Sequence, residues 1–184
     1  MINKVRKIVQ EECQKSKRYS RYVWKLHIKV VADYAKKLAR QLHANEEIAE
    51  LGGLLHDIGS IKFGKDNHEI TGQKEAEKIL RSLNYPPRTI DRVKECIATH
   101  RTSKNIKPKT IEAEMVANAD AMAHFDTVPA LIRVGLQKEN DDEIKAAAWV
   151  LGKLTSDWNK KLTIPQAKEM VRKKYQAAKL LLTG

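Results

Sequence analysis

The stretch Leu51-Gly52-Gly53-Leu54-Leu55-His56-Asp57-Ile58-Gly59 constrains the fold more than any other part of the chain. An apolar run leads directly into an adjacent imidazole and carboxylate. Asn45 is a good N-cap, with Glu46 and Glu47 in the turn after it. The spacing predicts a buried helix from there to about Asp57, ended by Gly59. A carboxylate at the end of a buried helix is costly unless it is paired, hydrogen-bonded or bound to a cation. The rest of the chain must therefore bring something positive, or groups that hold it, to this point.

The remaining segments read as helix too. Apolar residues recur at Ile2, Val5, Ile8 and Val9 up to about Ser16. Ser20 caps a helix to about Leu42, whose stripe is Val23, His27, Val30, Val31, Tyr34, Leu38 and Leu42. Ser60 to Asn67 reads as a polar loop. Helices then follow over His68 to about Leu83 and Arg88 to His100, broken by Asn84-Tyr85-Pro86-Pro87. Arg101 to Pro108 is a basic connection. Thr110 caps a helix bearing Asp120, and Asp126 caps one with Leu131, Ile132 and Val134. Asp141 and Asp142 open another that runs through Trp149 and Leu154 to Trp158. Thr163 caps the last, with Pro165 in its first turn. No strand of convincing length alternates. The expectation is an all-α, single-domain helical bundle over 1–184, with a motif-bearing core at about 23–125 completed by C-terminal helices at about 126–182.

The 184 residues can bury a substantial core, and no run is long and apolar enough to span a membrane. With no apolar leader at its N-terminus, the chain reads as cytoplasmic. Cys13 and Cys96 form no CxxC, so neither a disulfide scaffold nor a thiolate zinc site is expected. Lys and Arg total 35 against 23 acidic residues, a net charge of +12. That excess attracts phosphorylated anions. The lysines are spread along every segment, so nucleic acid is an allowed partner without being favoured.

His27 lies on an apolar stripe, His56 and Asp57 end a buried helix, and Asp120 sits among alanines on a third. Each is an expensive polar group on a face that otherwise reads as core. One divalent cation accounts for all four. Imidazole and carboxylate ligands suit Mn, Fe, Co, Ni or Zn, or Mg with more waters. The ordered set His27, His56-Asp57 and Asp120, with the HDIG tetrapeptide, resembles the HD-domain superfamily of metal-dependent phosphohydrolases. The resemblance covers about Val23 to Phe125 and implies a divalent metal centre of one or two ions. His68, in His68-Glu69-Ile70-Thr71-Gly72, and His100, closing Ile97-Ala98-Thr99-His100, match the positions that hold a second ion in the two-metal branches. Asp57 would then bridge the two ions.

The branch that hydrolyses cyclic dinucleotides has a His-His pair where this chain has His100-Arg101, and a Gly-Tyr-Pro segment that is missing here. The likeness is therefore to the small stand-alone hydrolases of nucleotides and other phosphoesters. The implied function is metal-dependent phosphohydrolysis of a small phosphorylated substrate, with Asp57 and Arg101 as catalytic residues. Lys62, Lys65, Arg101 and Lys104 follow the ligand-bearing helix ends and are candidate phosphate donors. Arg101 is the best of them, because a guanidinium grips phosphate bidentately. His124 reads as an ordinary, partly buried histidine or a donor behind Asp120. Leu180, Leu181 and Leu182 could meet a second copy or close the core of one. The rival functions are a metal- and nucleotide-binding regulatory module without turnover, and a basic nucleic-acid-binding protein. No HExxH, Glu-x-x-His pair, GxxxxGK[ST] or Gly-x-Ser-x-Gly occurs, which excludes a zincin and disfavours a ferritin-like di-iron bundle, ATP-driven chemistry and a serine-elbow hydrolase.

Overall fold

A computed structural model describes residues 1–17, 22–100 and 107–183. It is all-α, with no strand among the described residues. The chain divides into two compact units, Met1–Asp120 and Ala121–Gly184. The boundary falls within one helix.

In the first unit, α1 (Ile2–Lys15) precedes a π-turn at Trp24–Ile28, which continues into α2 (Lys29–Gln41). Then come α3 (Glu46–Leu55), α4 (Ile58–Phe63), α5 (His68–Ser82), α6 (Pro87–Thr99) and most of α7 (Ile111–Asp126). Helix α3 is the centre of this unit, packed on α1, α2 and α6. Every residue from Ile48 to Leu55 is buried. Each of Leu51, Leu54 and Leu55 removes a whole side chain from water, worth about 2 kcal/mol apiece. Gly52 and Gly53 make the close packing feasible. A Cβ at Gly53 would lie 2.7 Å from Ala32 Cα, and one at Gly52 would lie 2.8 Å from Cys96 Cβ.

Buried Glu50 is the one carboxylate on the inner part of α3. It accepts from Arg6 Nε and Nη2 of α1 at 2.9 and 2.7 Å and pairs with Lys36 of α2 at 2.8 Å. These bonds fix α1 and α2 to α3 and leave the buried charge compensated. The Asn45 side chain caps α3 by accepting from the Ile48 N–H at 3.0 Å, as its sequence position requires.

Two local expectations are corrected. Gly59 does not end α3. The helix stops at Leu55, Asp57 takes a non-helical conformation (φ −106°, ψ 10°), and α4 begins at Ile58. The expected loop from Ser60 is therefore half helix. Ser60 and Ile61 are buried and continue α4, and Gly64, at φ 106°, ends it. Gly59 instead permits a helix crossing. A Cβ there would stand 2.2 Å from the His68 carbonyl oxygen and 2.5 Å from Gly72 N. No other residue lets α4 approach α5 this closely.

In the second unit, the rest of α7 is followed by α8 (Val128–Lys138), α9 (Glu143–Ser156), a π-turn at Asp157–Lys161 and α10 (Pro165–Thr183). Helix α9 packs against both α8 and α10. Asp142 caps α9 by accepting from Lys145 N–H at 3.0 Å. Asp126 does not cap α8. It is the last residue of α7 and pairs with Lys174, while Thr127 holds the N-cap position. Phe125, Trp158 and Tyr175 form an aromatic cluster, with Trp158 and Tyr175 stacked at 4.7 Å. Leu180 and Leu181 are exposed. Ser20, expected as a cap, lies outside the described residues.

Candidate metal centre

All six histidines and aspartates expected as ligands lie in the first unit, and the fold brings them together. His27 comes from the π-turn, His56 is the C-cap of α3, and Asp57 is the joint to α4. His68 opens α5, His100 is the C-cap of α6, and Asp120 comes from α7. Five separate elements thus point at one place.

Asp57 organises the cluster. Its Oδ2 lies 3.6 Å from His56 Nε2 and 3.8 Å from His27 Nε2. Asp120 Oδ1 completes this first group, at 3.3 Å from His27 Nε2 and 3.9 Å from His56 Nε2. The other oxygen of Asp57, Oδ1, lies 3.4 Å from His68 Nε2 and 3.7 Å from His100 Nε2. One carboxylate therefore serves two groups, one oxygen to each.

The tautomers follow from the backbone. His56 Nδ1 lies 2.7 Å from Gly53 O, His68 Nδ1 2.9 Å from Lys65 O, and His100 Nδ1 2.7 Å from Ile97 O. A carbonyl can only accept, so Nδ1 donates in each case and the neutral ring presents a lone pair at Nε2. Gly53 and Ile97 stand in the last turns of α3 and α6, where carbonyls lack an intrahelical donor. The helix ends thus supply the orienting acceptors.

Lone pairs at Nε2 then face one another. His56 and His27 approach to 3.2 Å, and His68 and His100 to 3.3 Å, beside a carboxylate. Such close nitrogens call for a proton or a metal ion between them. Ligand atoms held about 2.0–2.2 Å from one ion sit about 3–3.5 Å apart, so both groups fit a divalent metal. Carboxylate and imidazole donors without thiolate suit a first-row ion such as Mn, Fe, Co, Ni or Zn.

The electrostatics agree. Burial pushes the His56 imidazole down to about 4, against the pull of Asp57, so the ring is neutral and ready to ligate. Burial also works to raise the Asp57 carboxyl. The charge that His56 carries only at the low pH where Asp57 titrates, a hydrogen bond from His100 and the charges of His100 and His27 outweigh it and hold Asp57 well below the usual carboxylate range. Burial lowers His100, but its hydrogen bond to Asp57 and the Asp57 charge win, and its pKa is raised. His56 is fully buried, whereas the side chains of His27, Asp57 and Asp120 keep 18, 18 and 13% exposure. The cluster opens to solvent on the side of these three residues.

The basic candidates divide. Lys62 Nζ is 2.6 Å from Glu75 Oε1 and 3.6 Å from Glu12 Oε2, so its charge is already partnered. The Lys65 side chain is exposed, and its carbonyl orients His68. Arg101 and Lys104 lie outside the described residues. His124 Nδ1 bonds to buried Asp157 at 2.8 Å within the second unit. Cys13 and Cys96 are both buried, and burial raises both thiols, Cys13 to about 12, so they are inert.

Sequence reasoning missed the three orienting carbonyls and the partnership of Gly59 with Gly72. The carbonyls had a signal: each lies three residues before its histidine.

Residues 26–124, more than half of the chain, match the HD domain family. The chain belongs to that family. Over 131 residues it is 28% identical to a tRNA (cytidine(56)-2'-O)-methyltransferase of Picrophilus torridus, covering 66% of this chain and 37% of that protein. It is 37% identical over 99 residues to ribonuclease Y of Treponema denticola, covering 53% of this chain and 18% of the relative. A deoxyguanosinetriphosphate triphosphohydrolase-like protein of Caldanaerobacter subterraneus subsp. tengcongensis is 27% identical over 112 residues, 54% of this chain and 32% of that one. The chain thus spans less than two fifths of the length of these curated relatives. Among solved structures, an HD-superfamily hydrolase from Bacillus thuringiensis superposes with a TM-score of 0.75 at 19% identity. That match covers 99% of this chain and 93% of the other, and it shows a shared fold. No helix among the described residues is long and apolar enough to cross a membrane.

Proposed function

We propose that this protein is a metal-dependent phosphohydrolase acting on a nucleotide or related small phosphoester. The observation that carries the reading is Asp57, with one oxygen to the His27/His56/Asp120 group and the other to the His68/His100 group. A binding module has no need of two complete ligand groups on one carboxylate. His27, His56, Asp57 and Asp120 would hold the first ion, and Asp57, His68 and His100 the second. Divalent ions so held supply Lewis acidity toward water and phosphoryl oxygen. The protein's part is to fix the donor set through the Nδ1–carbonyl bonds and to leave one side of it open to substrate. Lys65, Arg101 and Lys104 are the cations assigned to the substrate phosphate, Arg101 first. Lys62 is weakened in that role by its bond to Glu75.

The test is phosphate release from a panel of nucleotides and phosphoesters by metal-stripped protein resupplied with Mn, Fe(II), Co, Ni, Zn or Mg. A His56→Ala/Asp57→Ala variant is the control. Turnover that depends on metal and is lost in the control supports the reading. Stoichiometric metal binding without turnover would favour the regulatory alternative.

A second reading is cleavage of RNA. It is favoured by the 37% identity to ribonuclease Y over 99 residues and by the net charge of +12. Steep loss of RNA cleavage with rising salt, beside no turnover of mononucleotides, would select it.

A further inference from the structure

Glycines in the described residues mostly have a reason to be glycine. A Cβ would strike backbone or side chain at Gly52, Gly53 and Gly59, would be tight at Gly72 and Gly135, and Gly64 has positive φ. Gly152 is different. It lies inside α9, where glycine is the poorest helix former after proline, and a Cβ there would meet nothing within 4 Å. Exposed Gly152 borders an open surface hollow of about 420 Å³, lined by Trp149, Gly152, Lys153, Ser156, Asp157 and Lys161, all in the second unit.

The chemistry around that space is charged. Asp157, 1% exposed, is the first residue of the π-turn, a helix irregularity frequent at functional sites. Its Oδ2 accepts from His124 Nδ1 at 2.8 Å and from Lys153 Nζ at 3.0 Å, and Lys161 Nζ lies 3.3 Å from Oδ1. Lys138 Nζ sits 5.5 Å over the Trp149 ring. Two ammonium groups and one imidazole nitrogen thus surround a single carboxylate, so the lysines outnumber the acid they pair with. The buried carboxylate fixes Lys153 and Lys161 in place. An ammonium has three N–H donors, so the Lys153 bond to Asp157 leaves it able to donate further. Ser156 adds a hydroxyl donor and Trp149 a planar apolar wall.

We propose that this pocket binds a phosphate-bearing anion, with Lys153 and Lys161 as phosphate donors. An ion network kept for stability alone would not require a glycine beside this hollow.

The test is a ¹⁵N NMR titration of the chelator-treated 184-residue chain, so that the metal centre draws no phosphate. The probes are inorganic phosphate, adenosine 5'-monophosphate and adenosine. Wild-type protein is compared with Gly152→Leu, which fills the space, and with Lys153→Gln. Saturable shifts at the Gly152 amide and the Trp149 indole N–H are expected with phosphate or the monophosphate, none with adenosine. Both shifts should be lost in Lys153→Gln. In Gly152→Leu the Trp149 shift should vanish while thermal stability holds or rises, since leucine is the better helix former. No saturable shift at these two groups in wild type would overturn the proposal. So would an equal Trp149 shift in Gly152→Leu, or binding of adenosine as tight as that of its monophosphate.

Discussion

The Nε2 atoms of His68 and His100 stand 3.3 Å apart, each with its Nδ1 committed to a backbone carbonyl. Two neutral rings so arranged could not bond each other, so the pair holds either a proton, carried by His100, or a metal ion beside Asp57 Oδ1. His100→Ala should therefore remove the second ion and spare the first. Metal content by mass spectrometry should fall from two ions per chain to one. Turnover should drop by at least about 100-fold, the scale of losing a principal electrostatic stabiliser. His56→Ala should weaken the first group instead.

Loading the two groups should differ in proton release. His56 is neutral down to about pH 4, so an ion entering its group displaces no proton there near neutrality. The raised pKa of His100 means that the metal-free ring keeps its proton above the ordinary value of 6.5. An ion must expel that proton, so affinity at the second group should weaken as pH falls through the raised value. Calorimetry of metal binding in buffers of different ionisation enthalpy measures this. Proton release on metal binding should be smaller in His100→Ala than in wild type.

Gly59→Ala should be far more damaging than Gly72→Ala. The new methyl at 59 would fall 2.2 Å from the His68 carbonyl, and the one at 72 only 3.1 Å from a movable Ile97 methyl. Urea unfolding should show a loss of about 3 kcal/mol for the first and under about 1 kcal/mol for the second. Because Gly59 presses on the first turn of α5, its replacement should also displace His68 and lower metal content.

The helices were legible in the sequence because their apolar stripes repeat at helical spacing, and Asn45, Thr110 and Asp142 cap where their chemistry requires. Four of the candidate ligands, His27, His56, Asp57 and Asp120, stood out because each is an expensive polar group on an otherwise apolar face, whereas His68 and His100 were marked only by the family resemblance. Gly59 was misread as a helix end. Glycine signals both a C-cap and a close crossing, and only the position of α5 decides between them. The bond of Lys62 to Glu75 joins residues thirteen apart across two helices, a tertiary fact that local pattern does not carry.

Asp157→Asn should destabilise the second unit. Burial alone would raise this carboxyl, but the hydrogen bond and charge of His124 and the charges of Lys161 and Lys153 hold it below its ordinary 3.8. A depressed pKa contributes stability that is present above the unfolded value near 3.8 and is lost as pH falls through the folded value. At pH 7 the variant should lose about 2–3 kcal/mol, less than a fully buried pair because the lysines are partly exposed. Below pH 4 the gap between wild type and variant should narrow. Thermal unfolding across pH 3–7 reads both effects.

The most direct test of the bridging role of Asp57 is anomalous scattering from crystals grown with manganese. Two peaks are predicted, one among His27, His56, Asp57 and Asp120, the other among Asp57, His68 and His100. No peak in the cluster, or a single ion that leaves His68 and His100 unligated, would contradict a centre built for two.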